Sequence, residues 1–352
     1  MPATLTTHQV GDTQEEVDDL FLSKGWSDGL PIVPPTADRV DRMLGAYDPD
    51  ETFGPVPVTN RILDARSLAV NAVMAGCRPE HFGVLRAAAT AMLQEPFNLA
   101  GVSATTHPAG PLTIVSGSVV QELGFNAGSG CLAPGNRAGA TIGRAIRLVL
   151  LAVGGAWPGE GDRATHGHPG KYSYVLAEDD KATPWEPLRV HEGWRPADST
   201  VTLVAGEAPR NVNDHGSATA DELIATIAGT AASLGHNNLH RGGPIVIVLG
   251  PEHAAVVARA GLTRQRFIEE LFEAGQVPLS LIADGNLDRF RRIRPERFGG
   301  DPATATIPVT LSAEDLIPVV SGGAGRHSMV IPTFGISSSV TVQIDDKEGT
   351  NG

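Results

Sequence analysis

The chain has 352 residues, 41% hydrophobic and 19% charged, a composition typical of a globular protein with a large core. Its net charge of -13 leaves no basic surface for phosphates, and its apolar stretches are too short to cross a membrane. We therefore expect no nucleic-acid or membrane partner. The N-terminus lacks a basic stretch followed by an apolar one, and two cysteines cannot form a disulfide framework. These features predict a soluble protein of the reducing cytoplasm.

Residues 1–60 are expected to form an N-terminal extension and an extended, proline-rich arm. "QEEVDDLFLSKGW" has the periodicity of an amphipathic helix that ends at Gly25, and three prolines exclude helix in "SDGLPIVPPT". Thr36 is placed to cap a second helix, "ADRVDRML". Residues 61–94 then show a helical pattern that breaks near "GCRPEH".

Four β-branched runs that stop at glycine mark the rest of the chain: "PLTIVSG", "STVTLVAG", "PIVIVLG" and "LIPVVSGG". Helical patterns follow at least three of them, and "SSSVTVQI" is expected to be a final strand. Strands that feed helices through glycine turns predict an α/β fold of layered mixed sheets and helices. The recurrence of this unit predicts an internal duplication, with a first α/β half at 61–200 and a second at 201–352.

The stretch "GCLAPGNRAGATIGRA" contains a near miss to a phosphate-binding loop. Gly130 and Gly135 have the spacing of G-x-x-x-x-G-K-S/T, but Asn136 and Arg137 stand where lysine and a hydroxyl residue are needed. A relaxed dinucleotide fingerprint also fits the letters, although no strand leads directly into it and no acidic residue follows at the ribose position. We therefore expect no nucleotide cofactor.

A helix is predicted from about Asn136 to Val153, opening from this glycine turn. Helix N-termini attract anions, whereas Arg137 is a cation in the first turn and needs a negative partner. One hypothesis is a small anionic ligand held by Gly130, Gly135, Asn136 and Arg137, and the other is a buried carboxylate at a packing interface. Cys131 in the same loop is either a nucleophile or a small buried residue.

Histidines are frequent in polar, glycine-rich company. His166 and His168 lie two apart, so an extended backbone would aim both rings to one side as ligands for Zn²⁺ or a similar divalent transition metal. Asp214 and His215 follow one predicted strand, His327 follows another, and His107 precedes a third. Because ligands gather at the carboxyl ends of strands in α/β sheets, these residues are candidate general bases or metal ligands.

Lys171 is a further candidate catalytic residue, with a solvated lysine as the alternative.

Several segments together resemble a broad group of uncharacterised bacterial proteins that occur with small thiol or selenol proteins of the UGSC family. They include "DGLPIVPPT", "GNRAGATIGRA", "HPGKY" and "NVNDH", and the likeness runs over nearly the whole chain. Members of the group match at Asn126, Gly135, Asn136 and Arg137 but vary at the position of Cys131, which argues against a nucleophilic thiol. The resemblance implies no particular reaction.

The leading hypothesis is a soluble enzyme, a hydrolase or lyase, that acts on a small anionic metabolite or xenobiotic and forms a homo-oligomer. The first alternative is a non-catalytic accessory or binding subunit for a thiol or selenol partner protein. The second is an assembly protein whose arginine-bearing helix makes homo-oligomer contacts.

Overall fold

The computed structural model of the protein describes residues 7–11 and 13–345. The start of the predicted N-terminal extension, residue 12 and the polar tail from 346 lie outside the described residues. Helices account for 40% of the structure and strands for 17%, and several mixed sheets pack against helices. The predicted α/β class is therefore confirmed.

The helices vary from one turn to more than four turns. In chain order they are α1 (Gln14–Ser23), α2 (Ala37–Leu44), α3 (Ala65–Ala75), α4 (Phe82–Leu93), α5 (Leu99–Ala104), α6 (Val119–Glu122), α7 (Arg137–Ala152), α8 (Leu188–His191), α9 (Ala220–Ala231), α10 (Asn238–Arg241), α11 (Pro251–Arg259), α12 (Arg264–Ala274), α13 (Asp284–Ile293) and α14 (Pro295–Phe298). Throughout residues 7–11 and 13–345, every helix is too short or too polar to cross a bilayer.

The strands are short and mostly buried. They are β1 (Thr52–Val56), β2 (Arg61–Asp64), β3 (Gly110–Ser116), β4 (Val175–Ala177), β5 (Thr200–Gly206), β6 (Arg210–Asn213), β7 (Ile245–Leu249), β8 (Gln276–Pro278), β9 (Thr306–Pro308), β10 (Leu316–Val320), β11 (His327–Ile331) and β12 (Val340–Gln343). The predicted helical pattern from residue 61 was wrong for 61–64, which form β2 and pair with β1.

Two four-stranded sheets organise the molecule. The first sheet has the order β12-β5-β3-β4 and the second the order β10-β7-β11-β6. In each, one edge is a parallel pair and the other two pairings are antiparallel. This shared pattern is what a duplicated unit would produce, and the duplication itself stays a prediction.

The layers follow from which face of each strand is apolar. Leu112, Ile114 and Val204 of the first sheet share one buried cluster with Val246 and Val319 of the second, so the sheets pack face to face. The opposite face of the first sheet packs on α4 and α7, and that of the second packs on α9, α11 and α12. The order is helices, sheet, sheet, helices.

In two places the chain passes directly from a strand of one sheet to an edge strand of the other. β5 of the first sheet is followed by β6 in the second, and β11 of the second is followed by β12 in the first. At the crossing, Glu207 N–H donates to the Pro332 carbonyl at 2.7 Å and Phe334 N–H donates to the Ala205 carbonyl at 2.9 Å. The predicted boundary at 200/201 falls at the start of β5. The first sheet therefore takes β5 and β12 from the predicted second half, whereas all four strands of the second sheet belong to that half.

Candidate functional site

A cleft of about 390 Å³ opens at the edge of the second sheet where β7 and β10 end and β11 begins. Its walls include apolar side chains of the face that packs on the first sheet, Val248 and Met329, together with Leu132. Two glycine-rich segments complete it, residues 129–133 and 321–325. The predicted site residues Gly130 and His327 line this cleft.

The two glycine-rich segments are bound to each other. We call residues 127–133 the Cys131 loop and residues 321–326 the Gly323 loop. Gly322 N–H and the Ser321 hydroxyl both donate to the Ala127 carbonyl, at 2.8 and 3.2 Å. A Cβ on Gly323 would overlap the Ser129 hydroxyl and lie 2.7 Å from Ser129 Cα, so only glycine permits this approach.

Several backbone N–H groups at the cleft have no acceptor. Within the described part of the chain, none is found for the amides of Gly130, Cys131, Leu132, Gly323 and Ala324. Backbone amides without a protein acceptor can bind an anion where several of them converge.

Two histidines from distant parts of the sequence meet beside the cleft. His215 follows β6, His327 begins β11, and their Nε2 atoms are 3.3 Å apart. His327 Nδ1 lies 3.1 Å from Asn211 Oδ1, and a neutral ring with its proton on Nδ1 would present the Nε2 lone pair. Both imidazoles are exposed. A neutral ring with a free Nε2 is what a general base or a metal ligand requires.

Asp214 positions His215 and has no direct role that the geometry supports. Its carboxylate accepts from the Ser217 hydroxyl at 2.6 Å and from the Ser217 and Gly216 amides at 2.8 and 3.2 Å. Burial alone would raise the pKa of Asp214, but these hydrogen bonds outweigh it and lower the pKa to about 2. The carboxylate is committed to the turn that carries His215.

The predicted anion residues at the start of α7 lie beyond the cleft lining. The Asn136 side chain accepts from Gly139 N–H at 2.6 Å and donates to the Gly124 carbonyl, so its amide caps the helix. Arg137 is exposed, and no carboxylate within residues 13–345 pairs with it, whereas Arg144 binds Asp28 at 2.8 Å. The buried-carboxylate hypothesis therefore holds for Arg144 and not for Arg137.

His107 and His168 lie at the other end of the sheets, in what we call the Glu207 cluster: His107, His168, Tyr174, Glu207 and Arg210. His107 Nε2 is 2.8 Å from Glu207 Oε1, and Arg210 is 3.2 Å from the other carboxylate oxygen. The Tyr174 hydroxyl donates to the Glu207 carbonyl at 2.7 Å, and the His168 ring packs edge-on against Tyr174.

The Glu207 cluster and the cleft are separate sites. Glu207 pairs with Pro332, five residues along from His327, which at about 3.3 Å per residue is roughly 16 Å. The structure therefore divides the predicted catalytic set into two groups.

Lys171 is not solvated. It binds both carboxylate oxygens of Asp162, at 2.8 and 2.9 Å, and Arg147 lies 3.0 Å from one of them. These side chains are largely buried.

The proposed metal pair His166 and His168 rested on an extended backbone, and that expectation was wrong. Gly167 between them has a φ of 70°, which breaks the alternation of an extended chain. His166 is exposed, whereas His168 accepts from Gly170 N–H through Nδ1 and its Nε2 is buried. The two rings occupy different surroundings.

Sequence reasoning missed Asn211 and Glu207. Asn211 and Asn213 stand two apart in a strand, a spacing that puts both on one face, and this was the available signal for Asn211. Glu207 has no such signal, because His107, which lies 2.8 Å from its carboxylate, comes from a loop 100 residues away.

Comparison of the chain with models of known protein families, with curated proteins and with solved structures gives no match. A functional assignment therefore depends on the site itself.

Proposed function

We propose that the protein is an enzyme of the hydrolase or lyase type that binds a small anionic molecule in the cleft, with His215 and His327 supplying the reactive groups. The observation that carries this proposal is the imidazole pair, with His327 Nδ1 beside the Asn211 side chain, next to a cleft whose glycine loops contain unpaired amides. An anion site next to a basic nitrogen is the arrangement that acid–base chemistry on a bound substrate needs.

The cleft lining favours a substrate with an anionic end and a short apolar body. Five unpaired amides supply the donors for a carboxylate or phosphate. Val248, Met329 and Leu132 supply apolar walls. A volume of about 390 Å³ lies within the range of small-molecule sites.

The histidine pair can act as a general base or as a pair of metal ligands. His327 Nε2 lies 3.3 Å from His215 Nε2, Asn211 contacts the other ring nitrogen of His327, and the Asp214 turn fixes the backbone of His215. Either use requires the neutral imidazole. Arg137 does not line the cleft, so we assign it no direct contact with the bound anion.

Thermal unfolding with small anions tests the binding step. We expect short-chain carboxylates or phosphates to raise the Tm, and the uncharged amide of the same carboxylate to leave it unchanged, because the loop amides need a negative acceptor. Arg137→Ala should keep the shift, because Arg137 lies outside the cleft lining. Equal shifts for the carboxylate and its amide, or none for any anion, would contradict the proposal.

A further inference from the structure

The approach of His215 and His327 does not have the geometry of a good hydrogen bond. Their Nε2 atoms are 3.3 Å apart, at the long end of hydrogen-bond distances. The ring centroids are 5.0 Å apart and the ring planes are nearly perpendicular, at 84°. The centroids are closer than a head-on approach of the two nitrogens would leave them. The two rings therefore meet at an angle and not head-on.

This spacing is that of two ligands on one metal ion. Imidazole nitrogens at about 2.0–2.1 Å from a tetrahedral Zn²⁺ lie roughly 3.3–3.4 Å from each other. His327 is held by an acceptor on its other ring nitrogen, Asn211 Oδ1, which is how metal-ligating histidines are usually oriented. The Asp214 carboxylate accepts from the Gly216 and Ser217 amides, and this turn fixes the backbone of His215.

We propose that His215 Nε2 and His327 Nε2 bind one divalent transition metal ion of the Zn²⁺ class, and that a carboxylate of the substrate completes its coordination. The second clause rests on the proposed function, since it takes the cleft to be the substrate site. The metal site itself depends only on the histidine geometry.

The number of protein ligands explains why the substrate takes part. No group of three His, Cys, Asp or Glu side chains within the described ranges could hold a metal, so two imidazoles are the strong protein ligands. Asn213 lies directly opposite His327 in the pairing of β6 with β11. Its exposed side chain is on the same face of the sheet and is a candidate third, weak ligand. Two neutral imidazoles leave the full charge of the ion to attract an anion.

A metal at this point would act as a Lewis acid on a bound carboxylate or an adjacent carbonyl. A bound metal would also exclude the general-base role of these two histidines, because a nitrogen that binds a metal cannot take up a proton.

Titration of the full, untagged chain with Co²⁺ tests the metal site without any assay of activity. We expect visible absorption bands of cobalt in low coordination number that saturate at one ion per chain. His215→Gln and His327→Gln should each abolish the bands. His166→Gln and His168→Gln are matched controls that should retain them, and Asn211→Ala should weaken Co²⁺ binding about tenfold or more.

Far-UV circular dichroism establishes that each variant is folded. Absence of bands in the folded wild type overturns the metal site. So do bands that persist in His215→Gln, and bands that are lost only in His166→Gln or His168→Gln.

Acetate separates the two proposals. If acetate changes the spectrum of the cobalt-loaded protein, the substrate clause is supported. If the protein binds cobalt but acetate leaves the spectrum unchanged, only that clause is overturned. Carboxylates that stabilise a protein unable to bind Co²⁺ leave the proposed function standing and refute the metal site.

Discussion

Asp162 holds two cations at once, Lys171 and Arg147, in largely buried surroundings. Burial alone would raise the pKa of Asp162, but the hydrogen bond and charge of Lys171 outweigh it and lower the pKa. Burial lowers the pKa of Lys171, although the hydrogen bond and the charge of Asp162 act to raise it. The pair is therefore stable only when both members are present and charged.

Asp162→Asn should destabilise the protein by about 3 kcal/mol at pH 7, because it leaves Lys171 without its counter-ion. The Asp162 pKa is lower in the folded than in the unfolded state, so its contribution is present at neutral pH and is lost as the pH falls through the folded pKa. The free energies of unfolding of wild type and variant, measured with denaturant, should therefore differ less in acid than at pH 7.

Glu269→Gln is the control for this substitution, because it removes one member of an exposed pair with Arg266 and should change stability by less than about 0.5 kcal/mol. A difference between wild type and Asp162→Asn that stays constant from pH 7 to acid would show that the ion pair is not its source.

At the residue scale, the sequence indicates which side chains are candidates for chemistry, but it is a poorer guide to which of them lie in contact. His215 and His327 are candidates on residue type and on their place beside strands, but their pairing across 112 positions depends on β6 lying next to β11. Lys171 could not be separated from a solvated lysine, because Asp162 reaches it through a turn with no periodic pattern.

Among the elements, the Cys131 loop and the Gly323 loop depend on each other for their shape. Asn126 holds the first from within, accepting from Gly128 N–H at 3.0 Å and donating to the Ser129 carbonyl at 2.8 Å. The Gly323 loop is fixed from outside by Glu252, which accepts from Gly325 N–H at 2.7 Å. Displacing either loop alters the cleft wall.

Gly323→Ala should cost about 1–3 kcal/mol of stability, because the new methyl group enters the space of Ser129. It should also abolish the rise in Tm produced by small carboxylates. Gly229→Ala, at an exposed position of α9 with nothing within 4 Å of the new Cβ, is the control and should be neutral or stabilising by up to about 1 kcal/mol. A Gly323→Ala protein that keeps the full anion shift would show that the loop contact does not shape the binding site.

Elements whose signals are local were predictable. α7 matches the expected helix because Asn136 caps it and its apolar residues recur at helical spacing. The β1–β2 pair was not expected, because "TFGPV" contains both glycine and proline, which are typical of turns. The places of β6 and β12 were beyond sequence reasoning, since each pairs with a strand far away in the chain.

For the whole molecule, the predicted second half contributes β5 and β12 to the first sheet, which joins the two halves more tightly than a surface contact would. The face-to-face packing of the sheets adds a shared apolar core that neither half can keep alone. Residues 61–200 contain most of the first helical layer but only two complete strands of the first sheet.

Differential scanning calorimetry of the full chain should show one cooperative transition, with the calorimetric enthalpy equal to the van't Hoff enthalpy. Residues 61–200 produced alone should lack a cooperative transition, because they would lose both β5 and β12. Two resolved transitions in the full chain would show instead that the halves fold independently.

The position of β12 also sets the order in which the protein can be completed during synthesis. β3, β4 and β5 leave the ribosome early, but the neighbour of β5 at the sheet edge is made only after the whole second sheet. Until then β5 presents an open row of backbone groups flanked by apolar side chains, the kind of edge that pairs with other chains. The nascent protein is therefore most vulnerable to aggregation between the synthesis of β5 and that of β12, the period in which a chaperone would protect it.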